Sequence, residues 1–289
     1  MEFPIRQLLP EEFPPLMEEM PERDRPHSLY IRGSMPPREH SFLCVVGSRA
    51  TSPYGRRMCA TLIAGLARYP VAIISGMALG IDAEAHKAAL DVGLPTVAVL
   101  PSSLDERSIY PSTNKALAQR ILSLGGALIS ETKDPYKAAI HDFPKRNRLV
   151  AGMSRAALIV EAGEKSGTLI TARLALDYNR EVLAIPHELG RASGEGANRL
   201  IREGATLVRN ADDILQALGL KLLDNPEQLP LPADLTLPES AILAALVEPM
   251  EKDDLIEQAE LSAQEANIAL SSLLLRGLIT ERLGKIERS

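Results

Sequence analysis

Seven short apolar runs, each about the length of one strand, recur through the middle of this chain, and the segments between them carry helical spacing. The runs are Leu43-Cys44-Val45-Val46, Val71-Ala72-Ile73-Ile74, Thr96-Val97-Ala98-Val99-Leu100, Ala127-Leu128-Ile129-Ser130, Ala157-Leu158-Ile159-Val160, Val182-Leu183-Ala184-Ile185 and Thr206-Leu207-Val208. None alternates apolar with polar residues, so each strand is covered on both faces. Helices packed on both sides of a parallel sheet do that. The intervening spacing predicts helices over 53–69, 81–92, 114–124, 168–178, 197–202 and 212–218. In the first of these, Met58, Leu62, Ile63 and Leu66 share one face. The fold class is therefore α/β: an extended Rossmann-like, doubly wound, mostly parallel sheet of about seven strands.

The flanks have a different composition. Residues 1–40 are rich in Pro, Glu and Arg and read as an N-terminal arm with at most one small strand, Ser28-Leu29-Tyr30-Ile31-Arg32, broken by Gly33 and Pro36-Pro37. Residues 41–220 form the Rossmann-like domain, and residues 221–238, with Leu229-Pro230-Leu231-Pro232, form a linker. In 239–289 the pattern gives three short helices and a hairpin at 278–286, which together suggest a small winged-helix-like domain. Its candidate recognition helix carries Gln264, Glu265 and Asn267 but no cation before Arg276. A helix reading duplex DNA needs such cations, so this lobe is expected to contact protein.

The stretch Phe143-Pro144-Lys145-Arg146-Asn147-Arg148 places three cations in four residues of a chain whose net charge is −6. A charge run is ordinarily a solvated face. Here Leu149-Val150-Ala151-Gly152-Met153 follows directly, so the run is the first turn of a partly buried helix. A helix N-terminus already carries partial positive charge, so cations there call for an anion, and phosphate is the obvious one. Other groups at the carboxyl ends of the strands agree. These are Gly47-Ser48-Arg49, Ser75-Gly76, Val160-Glu161-Ala162-Gly163 and Ser166-Gly167-Thr168. Each glycine alone is a turn residue; several converging on one edge with Arg49 and the Lys145–Arg148 cluster make an edge built for phosphate.

Known nucleotide chemistry is missing from that edge. No Gly-x-Gly-x-x-Gly follows the first run and no Gly-x-x-x-x-Gly-Lys-Ser/Thr loop exists, so dinucleotide-binding and P-loop fingerprints are absent. Asp82 and His86 lie one helical turn apart and read as a surface or capping pair, with Asp82 buttressing the Gly76–Gly80 loop. His187 stands at a strand end without a second ligand or base nearby in sequence. The two cysteines, Cys44 and Cys59, sit in apolar segments without metal-ligand spacing and read as core thiols. No metal and no cofactor is expected. Aromatics make up 3% of the residues and Trp is absent, so nucleic acid would be held mainly by its backbone. The start lacks a secretion signal, and no apolar stretch approaches the ~20 residues of a membrane helix. A cytoplasmic protein without membrane attachment is expected.

These motifs, in order, resemble the DprA/Smf family. The resemblance rests on Gly47-Ser48-Arg49, on Ser75-Gly76-Met77-Ala78-Leu79-Gly80-Ile81-Asp82 with Ala85-His86, and on Phe143-Pro144-Lys145-Arg146-Asn147-Arg148 with Gly152 and Ser154. It continues through Val160-Glu161-Ala162, Ser166-Gly167-Thr168-Leu169-Ile170-Thr171-Ala172 and Gly196-Ala197-Asn198-Arg199-Leu200-Ile201 with Gly204-Ala205, covering about residues 28–210. The resemblance implies a dimeric, non-enzymatic protein of natural transformation that binds single-stranded DNA, protects it and helps load the RecA recombinase. By position it implies Arg49, Lys145, Arg146, Asn147 and Arg148 on the DNA backbone. Gly47, Ser48, Ser166, Gly167 and Asn198 would shape the pocket, and the strand-end reading adds Ser75, Gly76 and Thr168 to the same edge. The chain departs from the family pattern in two places. Only the tail of the family's helical SAM-like region, around Phe13-Pro14-Pro15-Leu16, is recognisable, and His187 stands where the family has Gly.

The competing reading is a nucleotide-binding enzyme related to the phosphoribohydrolases of the lysine-decarboxylase-like family, which use a similar sheet. Their Pro-Gly-Gly-x-Gly-Thr segment and following catalytic Glu have no counterpart here, where the stretch is Ala162-Gly163-Glu164-Lys165-Ser166-Gly167-Thr168 and no Glu lies in the helix after it.

Overall fold

The computed structural model describes residues 3–133, 135–222, 235–246, 250–259, 261–275, 278–282 and 284–288. Two compact units divide the chain, residues 1–222 and 223–289.

The first unit is built on a nine-stranded sheet of order β1-β2-β6-β5-β4-β3-β7-β8-β9. Its strands are β1 (Arg6–Leu8), β2 (Leu29–Gly33), β3 (Ser41–Val46), β4 (Val71–Ser75), β5 (Thr96–Val99), β6 (Ala127–Ser130), β7 (Ala156–Ile159), β8 (Glu181–Ala184) and β9 (Thr206–Leu207). The seven strands from β3 to β9 are the seven apolar runs, and all pair in parallel. β1 and β2 add antiparallel at the β6 edge.

Six helices connect the strands, α1 (Pro53–Ala64), α2 (Ile81–Asp91), α3 (Lys115–Ser123), α4 (Asp142–Met153), α5 (Thr168–Asp177) and α6 (Glu195–Arg202), and α7 (Ala211–Ala217) follows β9. The period-2 geometry of a strand sends successive side chains to opposite faces. Cys44, Val46, Ile74, Val97 and Ile159 accordingly pack with Leu149 and Val150 of α4 and Ala172 of α5. Leu43, Val45, Ile73 and Leu158 pack on the other face with Leu62 of α1, Ala85 of α2 and Ile214 of α7. This is the doubly wound arrangement the runs require.

The arm is less loose than its composition suggests. It holds two strands rather than at most one. β1 was invisible in sequence because three residues with one buried side chain, Leu8, carry no periodicity. Met17 and Met20 are buried in the main core. Arg148 donates to the Asp24 carbonyl at 2.7 Å, and Arg180, 5% exposed, pairs with Glu19, so two guanidiniums staple the arm to the body.

The second unit contains, among its described residues, α8 (Leu237–Ala245), α9 (Lys252–Gln258) and α10 (Ala263–Leu275). It also has a three-stranded antiparallel sheet of β10 (Met250–Glu251), β12 (Lys285–Arg288) and β11 (Ile279–Arg282), in that order across the sheet. Ile242, Leu255, Ala266, Leu273 and Ile286 form its own core. Most of the expected linker lies outside the described residues, and its last residues, Leu237 and Pro238, already belong to α8. No described helix is long and apolar enough to cross a membrane.

Candidate nucleic-acid interface

The strand order reverses around β3: β4, β5 and β6 lie on one side, β7, β8 and β9 on the other. In such sheets the crevice beyond the carboxyl ends at the reversal is where ligands bind. Gly47-Ser48-Arg49 leaves β3 there and Glu161 leaves β7 beside it, joined by a hydrogen bond from the Ser48 N–H to the Glu161 carbonyl at 2.8 Å. The N-terminus of α4, which follows β6, reaches the same edge, because the Arg49 guanidinium lies 5.2 Å from the centre of the Phe143 ring.

The three cations of α4 have three different environments. Lys145 is exposed. Arg146 is buried, and its guanidinium donates to the carbonyls of Gly76 and Val99. Arg148 Nη2 donates to both carboxylate oxygens of Glu131 at 2.6 Å each. Helical spacing explains the split: Arg146 precedes Leu149, Val150 and Met153 by three, four and seven residues, all on the buried stripe. Gly76 is small for a reason other than ligand approach, since a Cβ there would collide with the Arg146 guanidinium. Asn147 accepts a hydrogen bond from Arg146 Nε at 3.2 Å. Arg49 and Lys145 therefore remain as the candidate cations that face solvent, and neither forms a salt bridge among the described residues.

Buried polar groups hold the loops of this edge. Glu161 Oε2 accepts from the Ser52 N–H at 2.8 Å and from the Thr51 hydroxyl at 3.1 Å. Burial pushes this carboxyl up, but hydrogen bonds from Ser52, Ser193 and Thr51 more than offset that, and it is held below its ordinary range. Asp82 accepts from the Ala78 N–H at 3.2 Å and so buttresses the Gly76–Gly80 loop, as its position suggested. Burial raises the Asp82 pKa, with Arg146 opposing, and burial lowers that of Arg146, with Asp82 opposing. His86 is not on the helix surface: it is 0% exposed, its Nδ1 lies 2.7 Å from the Thr96 hydroxyl, and burial, followed by Arg146, pushes its pKa down to about 3.

The remaining candidates are mainly structural. The Ser75 hydroxyl donates to the Val45 carbonyl at 2.6 Å, inside the sheet. Ser166 accepts from the Thr168 N–H at 3.2 Å and shapes the start of α5, where Gly167 is exposed. Asn198 is latched to the backbone of His187, accepting from its N–H at 2.9 Å and donating to its carbonyl at 3.0 Å. The His187 ring is 9% exposed, with Nε2 2.9 Å from the Val160 carbonyl and Tyr54 edge-on at 5.2 Å.

Tyr110 carries no signal in the sequence, and Phe143 stands out there only as the start of the cationic stretch. Tyr110, 53% exposed, meets Phe143 edge-on with ring centres 5.7 Å apart, and the Arg49 guanidinium lies over the Phe143 ring. Their separation by 33 positions hid the contact, although in a chain with 6 Tyr and 4 Phe each exposed ring merits a question. Cations beside accessible rings suit a strand that offers phosphates and unpaired bases together. A cavity of about 310 Å³ lies at the opposite end of the sheet, by Phe13, Phe42 and Met153. Its lining includes Leu16, Met35 and Pro36, so the cationic edge rather than this hollow is the better place for a polyanion. Among the described residues no cluster of His, Cys, Asp or Glu is arranged for a metal ion.

Comparison with known proteins agrees with this fold. The sequence profile of the family described as DNA recombination-mediator protein A matches residues 6–219. Protein Smf of Escherichia coli is 39% identical over 290 residues, 96% of this chain and 76% of that protein. A putative DNA processing protein of Mycobacterium tuberculosis is 45% identical over 175 residues, but the chain spans only 44% of its length. The crystal structure of DNA processing protein A from Streptococcus pneumoniae superposes with a TM-score of 0.68 at 33% identity, covering 76% of this chain and 75% of that one. DNA processing protein A from Helicobacter pylori, whose structure is described as giving insight into its single-stranded DNA binding mode, superposes with a TM-score of 0.65 at 30% identity, covering 75% and 98%. With its parallel sheet, its edge motifs and its relatives in agreement, the chain belongs to the DNA recombination-mediator protein A family, the DprA/Smf proteins.

Proposed function

We propose that this protein binds single-stranded DNA at the carboxyl edge of its large sheet, protects it, and helps RecA recombinase load on it during DNA uptake and processing in natural transformation. The observation that carries the DNA reading is the meeting of Arg49, Phe143 and Tyr110 beside the exposed Lys145. Two solvent-facing cations supply phosphate contacts, and the ring pair supplies a surface for a base that duplex DNA would keep stacked inside. The single-stranded DNA binding named for the Helicobacter pylori relative supports the same ligand.

We infer further that the protein works by binding rather than by catalysis, as a homodimer in the cytoplasm. Its acidic and imidazole groups near the edge support the first of these. Asp82 and Glu161 are engaged in holding loops, and His86 and His187 are buried behind them. RecA loading and dimerisation rest on family membership.

The test is a competition between single- and double-stranded oligonucleotides of equal length at about 50 and 200 mM salt. The single strand should win at both, and affinity should fall steeply between them. Equal affinity for duplex would remove the role given to the rings. Release of free base from nucleoside monophosphates would favour the phosphoribohydrolase reading instead.

A further inference from the structure

Met77 is fully buried and has φ +63°, the left-handed region that a side chain rarely adopts. It sits in the Gly76–Gly80 turn between β4 and α2. Such a conformation persists only where its surroundings over-determine it. Asn114, 8% exposed and arriving from the turn before α3, does so from 37 residues away. Its Nδ2 donates to the Met77 carbonyl at 2.9 Å and to the Ala78 carbonyl at 3.2 Å. Asp82 receives the Ala78 N–H and Arg146 grips the Gly76 carbonyl, so the turn is held from three directions.

The far end of this turn touches the binding edge. The Ile81 N–H donates to the Ser48 carbonyl at 3.2 Å. Gly80, at φ +75°, lies so close to the Ser48 and Arg49 carbonyls that a Cβ would overlap them. The backbone that presents Arg49 therefore rests on a turn whose shape depends on Asn114.

We propose that Asn114 is a positioning residue for single-stranded DNA binding: its amide fixes the Met77–Ala78 carbonyls, the turn seats Gly80 and Ile81 under Ser48, and Arg49 is thereby aimed at phosphate. The proposal rests on the DNA reading of this edge. It also explains why an amide is needed, since one nitrogen with two hydrogens serves two carbonyls, whereas a carboxylate would repel both.

The test is a double-mutant cycle on the full chain, reading single-stranded oligonucleotide affinity for the wild type, Asn114→Ala, Arg49→Ala and the double variant, with hydrogen exchange of residues 76–82 alongside. Asn114→Ala should weaken binding about tenfold and speed exchange in that segment, and it should add little once Arg49 is gone. If Asn114→Ala does not fold, Asn114→Ser, which keeps one donor, is read in the same cycle and should lose about threefold. Wild-type affinity in the Asn114 variant, or losses that multiply in the double variant, would overturn the proposal while leaving the DNA site standing. Wild-type affinity in Arg49→Ala would overturn both.

Discussion

The start of α4 and the starts of α8 and α10 solve the same electrostatic problem in opposite ways. At α8 and α10 the first turns follow the rule for stable helices. Thr236 and Glu239 exchange hydrogen bonds across the start of α8, and Ser262 and Glu265 do the same at α10. At α4 the residue before the helix, His141, makes no side-chain cap, and behind Asp142 the first two turns carry Lys145, Arg146 and Arg148 near an end that is already positive. Asp142 is turned back to the preceding loop, accepting from the Tyr136 hydroxyl and the Ala139 N–H at 2.8 Å each. Helix starts are capped by side chains in both units, at α1 by Ser52 and at α7 by Asn210 as well as at α8 and α10, so a start crowded with cations marks a site shaped for something other than local stability. In α9 of the C-terminal unit, Asp253, Asp254 and Glu257 outnumber the single cation Lys252.

That contrast fails first if DNA affinity resides in the C-terminal unit. Arg49→Glu or Lys145→Glu should each lower single-stranded DNA affinity by more than about tenfold at moderate salt, whereas removing residues 223–289 should change it by less than about threefold. Gel-shift titrations decide it, and a truncation that costs more than either reversal would move the site.

A second difference concerns pH. The five histidines all belong to the first unit, and His86 lies beneath the cationic edge. Its pKa falls from 6.5 to about 3 on folding, so the unfolded chain binds a proton that the folded chain refuses. Stability from this group is complete above pH 6.5 and drains as pH falls, by about 2 kcal/mol between pH 6.5 and 5. Urea melts at those two pH values should show this slope for the first unit, and His86→Gln should flatten it.

The smallest effect separates Arg148 from Lys145 within α4. Glu131→Gln breaks the pair with Arg148, whose partners are 21% and 32% exposed, and should cost about 1–2 kcal/mol of stability while leaving DNA affinity within about twofold. Lys145→Gln should do the reverse, with melting unchanged and affinity reduced. Equal losses of affinity from both would mean that the cluster acts as a whole.

The sheet was legible because strands buried on both faces announce themselves as unbroken apolar runs, and all seven parallel strands were found that way. β1 was not, since three residues carry no period. At the site, spacing along the chain named the segments but not the fate of each side chain. Arg146 looked like a DNA contact because of its charge, yet its register with Leu149, Val150 and Met153 already assigned it to the interior. Arg148 depended on Glu131 and Asp24, and Asn198 on His187, partnerships that only folding creates. The Tyr110–Phe143 pair and the grip of Asn114 on Met77 join segments more than thirty residues apart, which no local pattern encodes.

The central claim is that phosphate is gripped by Arg49 and Lys145. Fluorescence-anisotropy titration of a labelled single strand across a range of salt tests it most directly, because each lost phosphate contact removes its share of counterion release. Arg49→Gln and Lys145→Gln should each reduce the slope of log affinity against log salt by about 0.7. Slopes equal to that of the wild type in both variants would contradict the account.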